Sequence, residues 1–233
     1  MSTPRSIHWL EQDPVRERRR ERALTLPPQK TSALATPALL TLRRAPPRSL
    51  QIFNSGSSAD KGLRELVKNA MLPEDDPRAV VRFLLDNDGK LDQSAVGDFL
   101  GGDGVLATDV RALVMDELGP LFRGMPIDSA LRKLINTVKL PGEAQKIDRL
   151  METFAARYCA LNAEVFPSAD VAFVLAFSVI MLQTDLHNPA IKEEKKMTKD
   201  GFRRNNRGIC NGSDLDAQFL DEIFDRIKAA PIT

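Results

Sequence analysis

Apolar side chains recur at helical spacing from Lys61 almost to the C-terminus, and this periodicity restricts the fold more than any other feature of the chain. The spacing of three and four residues is that of amphipathic helices, and no convincing two-residue alternation interrupts it. Short linkers rich in Gly, Pro and Asn separate the apolar stripes, as at residues 87–90 and 101–102. The pattern therefore predicts an all-α stack of many helices without a sheet.

Individual helix limits follow from capping residues and apolar runs. Asp128 is predicted to cap the helix that carries Leu131 to Val138, and Thr198 to start a short helix around Phe202. The longest apolar run, Val171–Leu182, is too short to span a bilayer and predicts a buried helix that ends near His187.

The first part of the chain has a different composition. Residues 1–50 contain ten Lys and Arg against four Asp and Glu, and seven of the 15 prolines. We predict a basic, proline-rich leader over residues 1–58 that forms no stable structure, followed by a folded domain over residues 59–233. Within the leader, Val15–Leu26 fits either a contact with anionic lipid or a solvated run of charges, and the solvated run is the simpler interpretation.

The composition excludes several kinds of chemistry. Hydrophobic residues at 42% and charged residues at 28% are typical of a globular protein. Two Cys and two His are too few and too widely spaced to predict a metal site or a disulfide framework. The sequence also has no phosphate-binding glycine loop and no nucleophile motif, so we predict neither a cofactor nor covalent catalysis.

A carboxylate follows a helix break in the segment LPGEAQKIDR, residues 140–149. Pro141 and Gly142 interrupt the preceding helix, and Glu143 stands at the start of the next amphipathic helix. Taken alone, Glu143 is best explained as a complement to the helix dipole, which contributes from a few tenths to about 1 kcal/mol.

A second segment changes that interpretation. It reads FPSADVAFVLAFSVIMLQTDLHNPAI over residues 166–191 and continues with MTKDGFRRNNRGI over residues 197–209. Together the two segments resemble the Sec-seven (Sec7) domain, the exchange-factor domain that acts on small GTPases of the ADP-ribosylation-factor (ARF) class. The resemblance extends over about residues 61–227. It implies an elongated, right-handed array of about ten helices, as a fragment or minimal member of the large brefeldin-inhibited type.

The resemblance implies a function without a covalent step. Glu143 would be the catalytic glutamate finger that drives GDP release, and the partner would be an ARF-family GTPase in its GDP-bound and nucleotide-free states. No cofactor, metal or nucleic acid is implied. The protein would be cytoplasmic and associate indirectly with Golgi or endosomal membranes. The alternative is a Sec7-like module that binds the GTPase with little exchange activity.

The resemblance also implies a groove between the helix that ends near His187 and the region around residues 198–206. The implied GTPase contacts are Asp170, Phe177, Met181, Leu186, Asn188 and Met197. For Met181, ordinary core packing is the alternative. Two positions depart from the family pattern: Gln183 replaces a usual Asn, and Phe177 stands where brefeldin-sensitive members have Tyr.

Overall fold

The computed structural model describes residues 47–55, 58–74 and 76–232. These residues form ten α-helices and one short 3₁₀ turn at Glu193–Lys195, and their one strand-like pairing is an isolated bridge between Cys210 and Ser213. The prediction of an all-α fold is therefore confirmed. The helices are α1 Pro47–Ser55, α2 Ala59–Lys68, α3 Pro77–Asp86, α4 Gln93–Leu100, α5 Val105–Phe122, α6 Ile127–Thr137, α7 Ala144–Leu161, α8 Ala169–His187, α9 Lys199–Asn205 and α10 Ala217–Ala229.

Helix α1 lies inside residues 1–58, which were predicted to form a leader without stable structure. Phe53 of α1 is 1% exposed, and its ring packs on Phe83 with the ring centroids 5.7 Å apart. The Asn54 side chain also forms two hydrogen bonds of 2.9 Å with the backbone before α4. The folded part therefore begins no later than Pro47, because a single aromatic anchor outweighs the linker-like composition of residues 54–58. Residues 1–46 and 56–57 of the predicted leader lie outside the described residues.

Helices α7 and α8 form the centre of the fold. The short connection over residues 162–168 and their extensive mutual packing make them antiparallel neighbours. Helix α8 also packs on α6, α9 and α10. By length and composition α8 could cross a membrane, but half of it is buried inside the protein. The prediction of a buried core helix is confirmed.

Buried hydrogen bonds fix the C-terminal end of α7. The Tyr158 hydroxyl donates to the Met125 carbonyl at 2.7 Å, and burial raises the pKa of Tyr158 to about 12. The Asn162 side chain accepts from the Gly124 N–H at 2.7 Å and donates to the Phe122 carbonyl at 3.1 Å. These bonds satisfy the polar groups of the α5–α6 connection and prevent α7 from rotating about its axis.

One predicted cap is wrong. Helix α6 begins at Ile127, with Pro126 as its N-cap residue, so Asp128 lies inside the first turn. Its side chain is buried and pairs with Arg226 of α10. An aspartate near a helix start usually caps it, but here a guanidinium from a distant part of the chain provides the stronger partner.

Candidate functional site

The carboxylate of Glu143 is directed outward from the start of α7. Glu143 is the N-cap residue, with an extended backbone, and its carbonyl accepts the N–H groups of Lys146 and Ile147 at 3.0 and 3.1 Å. Its side chain makes no capping hydrogen bond and is 70% exposed. Glutamate is not among the residues that favour this position for capping. The helix start therefore determines where Glu143 stands without using its carboxylate.

Helix α4 packs directly against the turn that carries Glu143. A Cβ atom on Gly97 would lie 1.9 Å from the Lys139 carbonyl oxygen, before the turn. A Cβ atom on Gly101 would lie 2.5 Å from Cβ of Lys146, after the turn. The two glycines let the backbone of α4 approach both sides of the turn, which is the close contact that only glycine allows.

Two arginines hold the C-terminal end of α4 in this position. Arg111 of α5 is 7% exposed and donates to two carbonyls at the end of α4, at 2.8 and 2.9 Å, and to Thr153 of α7 at 3.1 Å. Arg149 of α7 donates to the Gly101 carbonyl at 3.0 Å. Burial lowers the pKa of Arg111. Guanidinium groups at a helix C-terminus complement its exposed carbonyls, so α4, α5 and α7 are joined at the base of the turn.

Three of the predicted GTPase contacts lie on one face of α8, and a fourth, the C-cap residue Asn188, is in line with them. The intervals between successive members are seven, four and seven residues, for Asp170, Phe177, Met181 and Asn188. At 3.6 residues per turn, each interval brings the next side chain to nearly the same angle around the helix axis. We call these four residues the α8 stripe. Met181 is 42% exposed, whereas its neighbour Leu182 is fully buried. Met181 is therefore not a core residue, and the core-packing interpretation of it is wrong.

The side chains of the α8 stripe are held in different ways. Phe177 is half-buried and meets Phe173 edge-on, with the ring centroids 5.0 Å apart. Asn188 ends the helix, and its Oδ1 atom accepts the N–H of Ala190 at 2.9 Å. The stripe thus combines an aromatic edge, a flexible thioether and an amide on one face.

Met197 lies beside the α8 stripe. Its backbone N–H donates to the Asp185 carboxylate of α8 at 2.5 Å, and the Asn205 amide lies 3.7 Å from its sulfur. Thr198 then caps α9 by accepting the Gly201 N–H at 3.1 Å, as the sequence predicted. These contacts place the start of α9 along α8, and the groove that the resemblance implies between the α8 stripe and residues 197–205 stays a prediction.

The antiparallel arrangement of α7 and α8 brings the start of α7 to the end of α8. Glu143 and Asn188 therefore lie at the same end of the helix pair. Asp170 shares the face of the stripe but lies at the opposite end, about 27 Å from Asn188 along the axis. Leu186 is 7% exposed and lies on the opposite face of α8, so its predicted place in the groove is wrong.

Two residues near Glu143 did not emerge from the sequence as site residues. Lys146 Nζ lies 3.3 Å from the Glu143 carboxylate, and their spacing is that of an i,i+3 ion pair. The same nitrogen lies 2.7 Å from Asp98, which is 48 residues away and gives no local signal. In the described part of the chain, no three His, Cys, Asp or Glu residues are arranged to hold a metal ion.

Comparison with known proteins gives a consistent family. A model of the Sec7 domain matches residues 47–232. The chain is 48% identical to brefeldin A-inhibited guanine nucleotide-exchange protein 2 of Arabidopsis thaliana over 76% of its own length and 10% of that protein. It is 44% identical to the ADP-ribosylation factor guanine nucleotide-exchange factor SEC7 of Saccharomyces cerevisiae, over 76% of the chain and 8% of that protein. The chain thus spans about a tenth of these relatives.

Two solved structures have the same fold. The crystal structure of the Sec7p catalytic domain superposes with a TM-score of 0.71 at 40% identity, covering 82% of this chain and 98% of that one. A structure of ARF1-GDP bound to a Sec7 domain complexed with brefeldin A has a TM-score of 0.70 at 34% identity, covering 80% and 91% of the two chains.

Proposed function

The chain belongs to the Sec7 domain family, and we propose that residues 47–232 act as a guanine-nucleotide exchange domain for small GTPases of the ARF class. Its relatives are named as exchange factors, and one similar structure contains ARF1-GDP. Exchange requires no covalent step. A partner that lowers the affinity of the GTPase for its nucleotide is itself bound less tightly when nucleotide is present, so the domain needs a docking surface and a group that weakens nucleotide binding.

Glu143 is the group that we assign to this task. The observation that carries the assignment is its outward carboxylate at the start of α7, which the helix does not use as a cap. Placed near the nucleotide phosphates, a carboxylate repels them and competes for the cations that hold them. Two unit charges 4 Å apart interact by about 4 kcal/mol at a surface-like dielectric of about 20, which is roughly a thousandfold in affinity.

The α8 stripe and the groove beside it are the proposed docking surface. Phe177 and Met181 present apolar area along the C-terminal half of α8 and Asn188 adds an amide at the end where Glu143 stands, with Met197 on the other side of the proposed groove. Exposed aromatic and Met side chains are common at binding surfaces. Asp170, at the far end of the stripe, would orient a more distant part of the GTPase.

The site of action is part of the same proposal. ARF-class GTPases work at membranes, so the domain would act from the cytoplasm at Golgi or endosomal membranes, with its own association indirect. No nucleic acid and no cofactor take part in the proposed reaction.

The test is GDP release from a panel of soluble, truncated ARF GTPases with and without the protein. We expect acceleration by the wild type, and loss of nearly all of it in Glu143→Gln, which keeps the shape and removes the charge. Glu143→Lys should also be inactive and retain the GDP-bound complex. Glu65→Gln is a matched control because Glu65 is also an exposed partner of a lysine three residues later.

Each variant is checked for folding by thermal melting. Release by folded Glu143→Gln at the wild-type rate would contradict the role of the finger. If the wild type binds nucleotide-free GTPase but does not accelerate release, the chain is instead a GTPase-binding module with little exchange activity.

A further inference from the structure

Lys146 stands between two carboxylates. Its ammonium lies 2.7 Å from Asp98 of α4 and 3.3 Å from Glu143, and its side chain is 19% exposed. Asp98 and Glu143 are 52% and 70% exposed. The shorter contact is with Asp98, and the hydrogen bond that Lys146 donates to Asp98 is the main reason that the pKa of Lys146 is raised. Glu143 and Asp98 therefore share the Lys146 ammonium, and Asp98 has the closer contact with it.

The position of Asp98 is fixed by the packing of α4. The backbone on either side of it, at Gly97 and Gly101, touches the segments before and after the turn. The Ser94 hydroxyl receives a further bond of 3.0 Å from Lys139. Because α4 cannot move away from the turn without breaking these contacts, Asp98 holds the Lys146 ammonium at a fixed distance from the turn.

The arrangement has a consequence for the reaction. To act on the phosphate site, the Glu143 carboxylate has to leave Lys146. Without Asp98, the departure of Glu143 would leave the Lys146 ammonium without an anionic partner. The charge of Lys146 would then hold the Glu143 carboxylate back. With Asp98 in place, the cation keeps a hydrogen-bonded partner throughout, and the Glu143 carboxylate leaves as a free negative charge.

We propose that Asp98 of α4 is a positioning residue for nucleotide exchange. It binds the ammonium group of Lys146 of α7, so that the Glu143 carboxylate is released toward the GTPase. The proposal rests on the proposed exchange function. Because its contact is with Lys146, we expect Asp98 to act on the rate of the bound complex and not on docking.

The test compares saturating exchange rate and KM in Asp98→Asn, Asp98→Glu and the double variant Asp98→Asn/Lys146→Gln. We expect Asp98→Asn to lower kcat about threefold to fivefold with KM within about twofold, as befits a partly exposed ion pair. Asp98→Glu should recover much of the loss. The double variant should exceed Asp98→Asn, because it removes the cation that retains the finger.

Asp116→Asn is the matched control. Asp116 of α5 is 49% exposed and pairs with Arg157, which lies on α7 like Lys146 but far from the turn. The Asp116→Asn variant should have the kcat of the wild type. If Asp98→Asn behaves like Asp116→Asn, or if the double variant is slower than Asp98→Asn, the proposal is wrong and α4 serves only as a support.

A second readout does not depend on exchange. Titration of Lys146 by NMR should show its pKa lowered more by Asp98→Asn than by Glu143→Gln, because the Asp98 contact is the shorter one. The reverse order would overturn the proposal even if exchange cannot be measured. Absence of exchange in the wild type, or full exchange in Glu143→Gln, instead contradicts the proposed function.

Discussion

Arg226 and Asp128 lie 98 residues apart in the chain, yet their side chains form a two-pronged ion pair that joins α10 to the first turn of α6. The two bonds measure 2.9 and 2.8 Å, and Asp128 is 2% exposed whereas Arg226 is 36% exposed. The two partners are therefore unequal. Loss of Arg226 leaves the buried carboxylate of Asp128 unpaired, whereas loss of Asp128 leaves a guanidinium that can reach water.

This inequality predicts different costs for the two single substitutions. Arg226→Met should lower the free energy of unfolding by about 3 kcal/mol, because it strands a buried carboxylate. Asp128→Asn should cost about 1–2 kcal/mol, because Arg226 can turn toward solvent. Urea denaturation measures both. Equal losses would show that burial of the carboxylate does not control the energy of the pair.

Met181 and Leu182 provide a test of the docking surface on adjacent residues. Met181→Ala should reduce affinity for the nucleotide-free GTPase by more than about 1 kcal/mol and leave the melting temperature almost unchanged. Leu182→Ala should destabilise the fold by about 2–5 kcal/mol because it opens a core cavity. Binding titration and thermal melting distinguish the two. A Met181→Ala variant that loses mainly stability would contradict the docking assignment.

Phe177 predicts a graded response to brefeldin A. The resemblance gives sensitive members a Tyr-Ser pair where this chain has Phe177-Ser178, so the wild type lacks one hydroxyl. A hydrogen bond to a buried hydroxyl contributes about 0.5–1.5 kcal/mol, so we expect partial sensitivity that Phe177→Tyr raises by about tenfold or less. Dose–response curves of exchange for both proteins are the measurement. Equal inhibition, or none in either protein, would refute this.

Phe53 predicts where the folded domain starts. A chain beginning at Ala45 should melt like the full-length protein and keep exchange activity. A chain beginning at Ser57 lacks the anchor against Phe83 and should lose about 3–5 kcal/mol, the usual cost of removing a buried phenyl ring. Phe53→Ala in the full chain should reproduce most of that loss. Equal stability of the two shortened chains would place the boundary after α1.

The Arg203–Asp221 pair predicts acid sensitivity at the α9–α10 contact. The hydrogen bonds from Arg203, which include one of 2.6 Å, lower the pKa of Asp221 below its ordinary value of 3.8. Its stabilising effect is therefore present above that value and lost as the pH falls through the lower, folded-state pKa. The melting temperature of the wild type should exceed that of Asp221→Asn at pH 6, and the difference should shrink as the pH falls below 3.8. A constant difference would contradict this linkage.

Local and long-range interactions differ in what the sequence can predict. The helices of the core follow from apolar spacing. The choice of Asp170, Phe177, Met181 and Asn188 came from the resemblance to the Sec7 domain, and their intervals add only that they share a face. The start of the domain at α1 could not be derived in this way, because it depends on one ring docking on a later helix. The same holds for the Asp98–Lys146 contact and for the partner of Asp128, since each joins residues that the chain brings together only after folding.

The burial of α8 determines which partner has to adapt during docking. Nine residues of this helix are buried against neighbouring helices, so we expect its backbone amides to be among the slowest in the protein to exchange with solvent. A surface on such a helix has little freedom to reshape itself around an incoming molecule, and little entropy to lose in binding one. If the proposed exchange function holds, we therefore expect α8 to act as a rigid docking surface, with most of the rearrangement at the nucleotide site taking place in the GTPase.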